Sequence, residues 1–355
     1  MIGWWCKWKT SHNAGRRLRA DLVMRGLRQQ GIQAEWFDEK RLDRYECVVF
    51  AKRYGPASQD VAARLRARGC RVVIDLCDNH FVYPPDNTKM RDGAERLRAF
   101  IGRSDHVVAA SPILAEIIAR ECPVTPAIST IGDLSDDLSI VETSAFEKAI
   151  AKIRALVAAR KLSAAAEHHT RLVWFGHHGG SRANAGMSDV AKIKPLLERL
   201  HREYPIHLSI ISSKRKKYEA LFGDAEFPHG YIDWAPSTFP DLLPMHEIAI
   251  IPVELDAFTI CKTDNRVVTA LSAGLAVVAS DVPSYRRYAG TIQLGDIEKG
   301  LREYLGNPAM RQASARQATR LAQDFTAAQP IIAEWRRVLC TNERMMVHRE
   351  LWTAP

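Results

Sequence analysis

Short apolar runs alternate with amphipathic stretches from the amino terminus onward. Residues 2–5 (IGWW), 47–51 (CVVFA), 71–76 (RVVIDL) and 106–110 (HVVAA) are strand-length and rich in Val and Ile, which predicts buried strands. Helical periodicity fills 16–29, 58–68, 90–102 and 112–121 between them. Strands separated by helices of this length need crossover connections, so the pattern predicts a parallel sheet covered on both faces. Over 142–168 the composition shifts to Ala, Lys and Glu, as in a surface helix running into a linker. The alternation then restarts at 172–176 (LVWFG), 207–212 (HLSIIS), 248–253 (IAIIPV) and 275–280 (LAVVAS). Residues 296–348 read as helical with one break at Gly306-Asn307-Pro308.

The predicted fold class is α/β: two Rossmann-like, doubly wound domains facing across a cleft. Residues 1–140 form the first domain, 141–170 a linker helix, 171–325 the second domain, and 326–355 a helical tail placed to cross back to the first. Open parallel sheets bind ligands beyond the carboxyl ends of their strands, near helix amino termini. The loops after 2–5, 71–76, 172–176 and 248–253 are therefore the informative ones.

Charge and composition narrow the field only partly. The 355 residues carry 50 Lys and Arg against 41 Asp and Glu, a net charge of +9. This favours anionic partners such as nucleotides, phosphates or acidic lipid surfaces without choosing among them. No apolar run approaches the roughly 20 residues of a membrane span. In MIGWWCKWK, Lys7 and Lys9 interrupt any signal-like apolar core. Seven cysteines without a CxxC pair argue against a disulfide framework or a zinc site, so reduced thiols in a cytoplasmic protein are expected.

Residues 252–283 (PVELDAFTICKTDNRVVTALSAGLAVVASDVP) carry the most chemistry. A strand ends at Val253, a loop delivers Lys262, and a helix runs from about Asp264 to Ala273, with Gly274 fitting the position that ends a helix. At about 100° per residue, Val267, Val268 and Leu271 cluster inward while Asn265, Arg266 and Thr269 share the opposite arc. Lys262, Asn265 and Arg266 thus stand at the positive end of a helix dipole, where side chains and backbone N–H groups together neutralise a diphosphate. A solvated helix face with ordinary surface charges is the competing reading.

At this segment the sequence resembles the retaining, glycogen-phosphorylase-like group of GT-B glycosyltransferases (the family 4 and family 1 types). K-x-x-N-R followed by TALSAGLAVVAS (262–280) is similar to the family's donor-binding segment. WFGHHG (174–179) resembles the opening strand and loop of its carboxyl-terminal domain, and 231–254 the stretch holding the nucleotide base. SDHVVAASPILAEI (104–117) resembles the last part of its amino-terminal domain. The four motifs occur in the family's order and cover nearly the whole chain. The resemblance implies that Lys262 and Arg266 bind the donor diphosphate. It places Asn265 and Thr269 beside ribose, phosphate or sugar. Gly176 and His177 would let a loop approach the phosphates, and the backbone near Trp234 would read the base, its ring being equally suited to core packing. Many relatives carry two glutamates at the positions of Cys261 and Thr269, a departure that bears on donor choice or on activity.

On the amino-terminal side, Asn13-Ala14-Gly15 suits a tight turn whose Gly15 approaches a ligand. Arg17, Arg25 and Arg28 point outward on the following helix, whereas Arg16 and Arg19 fall on its inward arc. The last two are candidates for an anionic acceptor or donor phosphate, or for local ion pairing with Asp21 or Asp78. Asp75, Asp78 and His80 end a central strand, facing the expected cleft. Asp78 or His80 is suited to orient or deprotonate an acceptor hydroxyl, and equally to cap a turn.

The remaining readings are weaker. Adjacent histidines (His168-His169, His177-His178) point apart, so no metal is expected, and Gly179 and Gly180 fit a mobile loop. Trp4, Trp5 and Trp8 beside Lys7 and Lys9 suggest a nucleic-acid platform less than a core strand, so no nucleic-acid partner is expected. No strand leads into GxGxxG, which disfavours a nicotinamide enzyme. Two functions follow. One is a glycosyltransferase moving a sugar from a nucleotide-sugar to a glycan, lipid-linked or small-molecule acceptor, with retention, without cofactor or metal, and with peripheral membrane contact open to it. The other is a GT-B-like module that binds a nucleotide or partner without turnover.

Overall fold

The computed structural model describes residues 1–179, 185–325 and 327–340; Gly180 and the tail positions 326 and 341–355 of the expectations above lie outside them. The chain divides into two compact units. The first comprises Met1–Asp137 with the segment from Ala327, and the second Leu138–Thr326.

The first unit holds six strands: β1 (Ile2–Cys6), β2 (Ala34–Trp36), β3 (Cys47–Ala51), β4 (Arg71–Leu76), β5 (His106–Ala109) and β6 (Ile128–Thr130). They form one sheet in the order β2-β1-β3-β4-β5-β6, and every pairing is parallel. β3 is buried along its whole length, as an interior strand covered on both faces must be. Helix Ala328–Leu339 packs on this unit. Its Trp335 ring lies 5.2 Å from that of Trp4, and both indoles are fully buried, so Trp4 serves the core.

The second unit repeats the plan with β7 (Thr170–Phe175), β8 (Ile206–Ser212), β9 (His229–Asp233), β10 (Ile248–Ile251), β11 (Ala276–Ala279) and β12 (Gln293–Leu294). The order is β12-β11-β10-β7-β8-β9, again all parallel. Counted within the unit this is 6-5-4-1-2-3, the doubly wound order of dinucleotide-binding sheets. Helix Ala145–Ala166 opens with a capping box, Ser144 and Glu147 exchanging hydrogen bonds, and lays Ala155, Ala158, Ala159 and Leu162 on this unit's core. No described helix is long and apolar enough to cross a membrane.

Two expectations change. The sequence wheel treats 16–29 as one α-helix, but Arg17–Asp21 is a π-helical turn between Ala14–Arg16 and Leu22–Gln29. The wider turn rotates Arg17 inward. Arg17 is buried, not solvated: it clamps Asp136 with two bonds of 2.7 and 2.6 Å and donates to the carbonyls of Ser11 and His12. Asp75, expected to face the cleft with Asp78 and His80, turns into the first unit's interior instead. It is buried against Arg19.

Candidate functional site

In a doubly wound sheet the chain leaves an inner strand toward one edge and later returns to fill the other side, opening a crevice at the strands' carboxyl ends. In the second unit this switch lies between β7 and β10. The loop after β7 carries Gly176 and His177, and the loop after β10 leads to Lys262 and helix Asn265–Ser272. The two meet. Gly176 has φ +149°, and a Cβ built there would lie 3.5 Å from Arg266 Cδ. Ser212 Oγ donates to Gly176 O (2.9 Å), fixing the turn to the end of β8.

The helix wheel read from the sequence matches burial: Val267, Val268 and Leu271 are buried while Asn265, Arg266 and Thr269 are partly exposed. Gly274 follows at φ +75°. The Asp264 side chain does not cap the helix amino terminus. Asp264 is drawn away by Arg287 (2.8 Å) and the Tyr288 hydroxyl (2.6 Å), and burial beside that carboxylate pushes the Tyr288 hydroxyl's pKa up. The first-turn amides therefore keep their positive partial charge.

Lys262 arrives on a braced loop. Asp256 Oδ1 accepts from the amides of Phe258 and Thr259 (2.7 Å each), and Thr259 Oγ1 donates to Glu254 O (2.6 Å). Lys262 Nζ stands 4.4 Å from the Phe258 ring centre, and Ser284 Oγ donates to Lys262 O. Cys261 is fully buried. The Thr269 hydroxyl donates to Asn265 O (2.7 Å), so its proton serves the helix backbone. Trp234 N donates to Ser212 O, prolonging the β8–β9 ladder, while its half-buried ring packs on the core near Phe239. His177 Nδ1 accepts from the Gly179 amide (3.1 Å).

Asp189 is a site residue the sequence reading missed. It is buried, accepts from the Gly186 amide (2.9 Å) and approaches the Glu254 amide (3.5 Å), joining the loops after β7 and β10. Burial raises its pKa, against those amides and the charges of Lys192 and Arg266. Its only sequence signal is a carboxylate in the first turn of a helix after a glycine-rich stretch.

In the first unit the switch lies between β1 and β3. Beyond their ends stand Trp8 and Lys52, with Lys52 Nζ 5.0 Å from the Trp8 ring centre. Lys52, also missed from sequence, is buried at φ +53°, a left-handed backbone rare for a side-chain-bearing residue. It ion-pairs with Asp78. Burial alone would lower its pKa, but the Asp78 carboxylate raises it and keeps the ammonium charged. Next to it, Tyr54 Oη and buried His80 Nδ1 share a hydrogen bond of 2.8 Å. Asp78 is thus paired with Lys52, and His80 with Tyr54.

Gly15, Arg16 and Arg19 are differently placed. A Cβ at Gly15 would lie 2.4 Å from the Trp8 ring, so the close approach this glycine permits is to the chain's own indole. Asn13 caps the turn by accepting from the Gly15 amide. Arg16 pairs with Asp21 (3.2 Å) and stacks 4.1 Å from the Trp36 ring centre. Arg19 is fully buried on Asp75 and the carbonyls of Ile131 and Gly132, so its partner is neither Asp21 nor Asp78, and it is committed to the core. Among the described residues no group of three or more His, Cys, Asp or Glu is placed to hold a metal ion.

No protein-family model matches the sequence, and no curated protein matches it. Solved structures do. "Trehalose-6-phosphate from E. coli bound with UDP-2-fluoro glucose" is similar at 11% identity over 85% of this chain and 75% of that one, with TM-score 0.56. The α,α-trehalose 6-phosphate synthase from Burkholderia multivorans is similar at 12% identity over 95% and 83%, with TM-score 0.54. A mutant of S. aureus TarM in complex with fondaparinux, alpha-GlcNAc-glycerol and UDP is similar at 10% identity, with TM-score 0.55; the match covers 90% of this chain but only 58% of TarM. At these identities the likeness is one of fold: two Rossmann-like units in the GT-B arrangement of elements.

Proposed function

From a chain with the GT-B glycosyltransferase fold, we propose an enzyme that transfers a sugar from a nucleotide-sugar donor to a hydroxyl-bearing, sugar-type acceptor. The observation that carries this reading is the close approach of Gly176 to Arg266 at a helix amino terminus that Asp264 does not cap, on the switch point of the second sheet. Arg266, Lys262 and the first-turn amides there form a cationic seat for a departing nucleoside diphosphate. Because two side-chain cations supply that charge, the transfer is read as metal-independent. Asn265 and Thr269 flank the same seat; Gly176 and His177 line its floor, and the backbone at Trp234 adjoins the base.

Similar structures named as holding UDP-2-fluoro glucose, glucose-6-phosphate or UDP support a nucleotide-sugar donor and a sugar acceptor here. In the first unit Asp78 and His80 are the groups suited to receive the acceptor's proton. No protein nucleophile is nominated, in keeping with retention by same-face attack. An odd number of cysteines without a CxxC pair supports a reducing, cytoplasmic setting.

The second reading, a binding module without turnover, draws on one observation: Cys261 is fully buried and the Thr269 hydroxyl is spent on Asn265 O, at the two positions where relatives carry glutamates. A panel of sugar nucleotides with sugar acceptors, assayed for nucleoside diphosphate release, separates the two. Acceptor-dependent release that falls about 10²-fold or more in Lys262→Ala and Arg266→Ala supports transfer. Wild-type turnover in both variants contradicts the seat, and binding without release supports the module.

A further inference from the structure

Helix Ala145–Ala166, 22 residues long, is packed with its small side inward. Ala155, Ala158, Ala159 and Leu162 meet the core, while Phe146 (74% exposed), Ile153 (64%), Leu156 (60%) and Val157 (52%) face solvent. At about 100° per residue those four outward side chains fall within an arc of about 100°, forming one stripe rather than scattered single residues. From Phe146 to Val157 the stripe runs about 17 Å. A continuous apolar band of this kind marks a surface that something covers.

Charge chooses the occupant. Lys152 lies along one flank of the stripe, Arg154 and Lys161 along the other, and Arg160 lies on the stripe's own arc beyond Val157. The helix has one acidic residue, Glu147, whose carboxylate is spent on the amide and hydroxyl of Ser144. Arg154 also comes within 3.6 Å of Asp233 but stays mostly exposed. A second copy of this helix would bring cationic flanks against cationic flanks. An anionic lipid surface complements both parts: the long Lys and Arg stems extend to headgroup phosphates while the apolar stripe enters the acyl boundary. We propose that helix Ala145–Ala166 docks the second unit on anionic lipid headgroups, lying in the plane of the surface. This binding is separate from sugar transfer and is read without it.

The test is co-sedimentation of the full chain with vesicles of phosphatidylcholine alone or mixed with phosphatidylglycerol. Binding to the anionic vesicles is expected, weakening as salt is raised. Lys152→Glu with Arg160→Glu should weaken it about thirtyfold or more. Phe146→Ser with Ile153→Ser and Leu156→Ser should weaken it at least about tenfold, with an unchanged melting temperature because these side chains are exposed. No preference for anionic over neutral vesicles overturns the proposal, as does wild-type binding by either variant. A dimer in size-exclusion chromatography that the apolar triple variant converts to monomer also overturns it.

Discussion

Gly176 and Arg266 lie side by side at the switch point of the second sheet. A Cβ on the glycine would sit 3.5 Å from the arginine Cδ, close to the Trp174 ring as well. The space is adequate for a methyl group but the backbone is not, because φ is +149°. Gly176→Ala should therefore cost about 1–3 kcal/mol through backbone strain and weaken nucleotide binding by displacing the turn under Arg266. Denaturant unfolding and calorimetry on the same variant check both parts. An alanine variant as stable as wild type would show that the turn relaxes freely.

Lys52 is expected to act on the acceptor side alone. It is buried, strained in backbone and paired with Asp78, and its amide donates to Asp75 O (3.0 Å). Lys52→Met should lower transfer by about 10²-fold while nucleotide affinity stays within about twofold, because Asp78 loses the cation that holds it. Comparing kcat/KM for acceptor with nucleotide affinity makes the distinction. Equal losses in both would place Lys52 in general stability.

Stability should depend on pH through His246. Its Nδ1–H donates to Leu243 O (3.1 Å), and burial, with the charges of Arg171 and His207, pushes its pKa down to about 4. The folded chain keeps this imidazole neutral, whereas the unfolded chain protonates it below about 6.5. Its contribution is thus complete above the unfolded value and is lost as pH falls from about 6.5 toward 4, at about 1.4 kcal/mol per pH unit. His207, lowered to about 4 by burial and by His169 and His229, acts in the same direction. His246→Asn keeps a donor near Leu243 O and should flatten that slope in urea titrations at stepped pH. An unchanged slope would mean that the imidazole is protonated inside the fold.

The interior of both sheets was legible in the sequence because β1, β3, β4, β5, β7, β8, β10 and β11 are continuous apolar runs. The four strands it did not reveal, β2, β6, β9 and β12, are the four sheet edges. β2, β6 and β12 are only two or three residues long, and all four edges are partly exposed, so they lack the apolar run that announces a buried strand. Helix Asn265–Ser272 was readable residue by residue, its α-helical turns being regular. The Arg17–Asp21 turn was not, because one π-helical turn rotates a wheel drawn for an α-helix and brings Arg17 from solvent into the core. Pairings across the fold were beyond the sequence too. Arg19 with Asp75, Lys52 with Asp78 and Asp189 with the Glu254 amide depend on strand order, which no local pattern records.

The most direct test of a diphosphate seat at Lys262 and Arg266 is calorimetric titration with UDP, GDP, ADP, CDP and TDP. Wild type and Arg266→Ala are compared, with melting temperatures confirming that both are folded. At least one nucleoside diphosphate should bind wild type and bind Arg266→Ala about tenfold to hundredfold more weakly. Equal affinity in the two proteins, or no binding of any of the five to wild type, would contradict it.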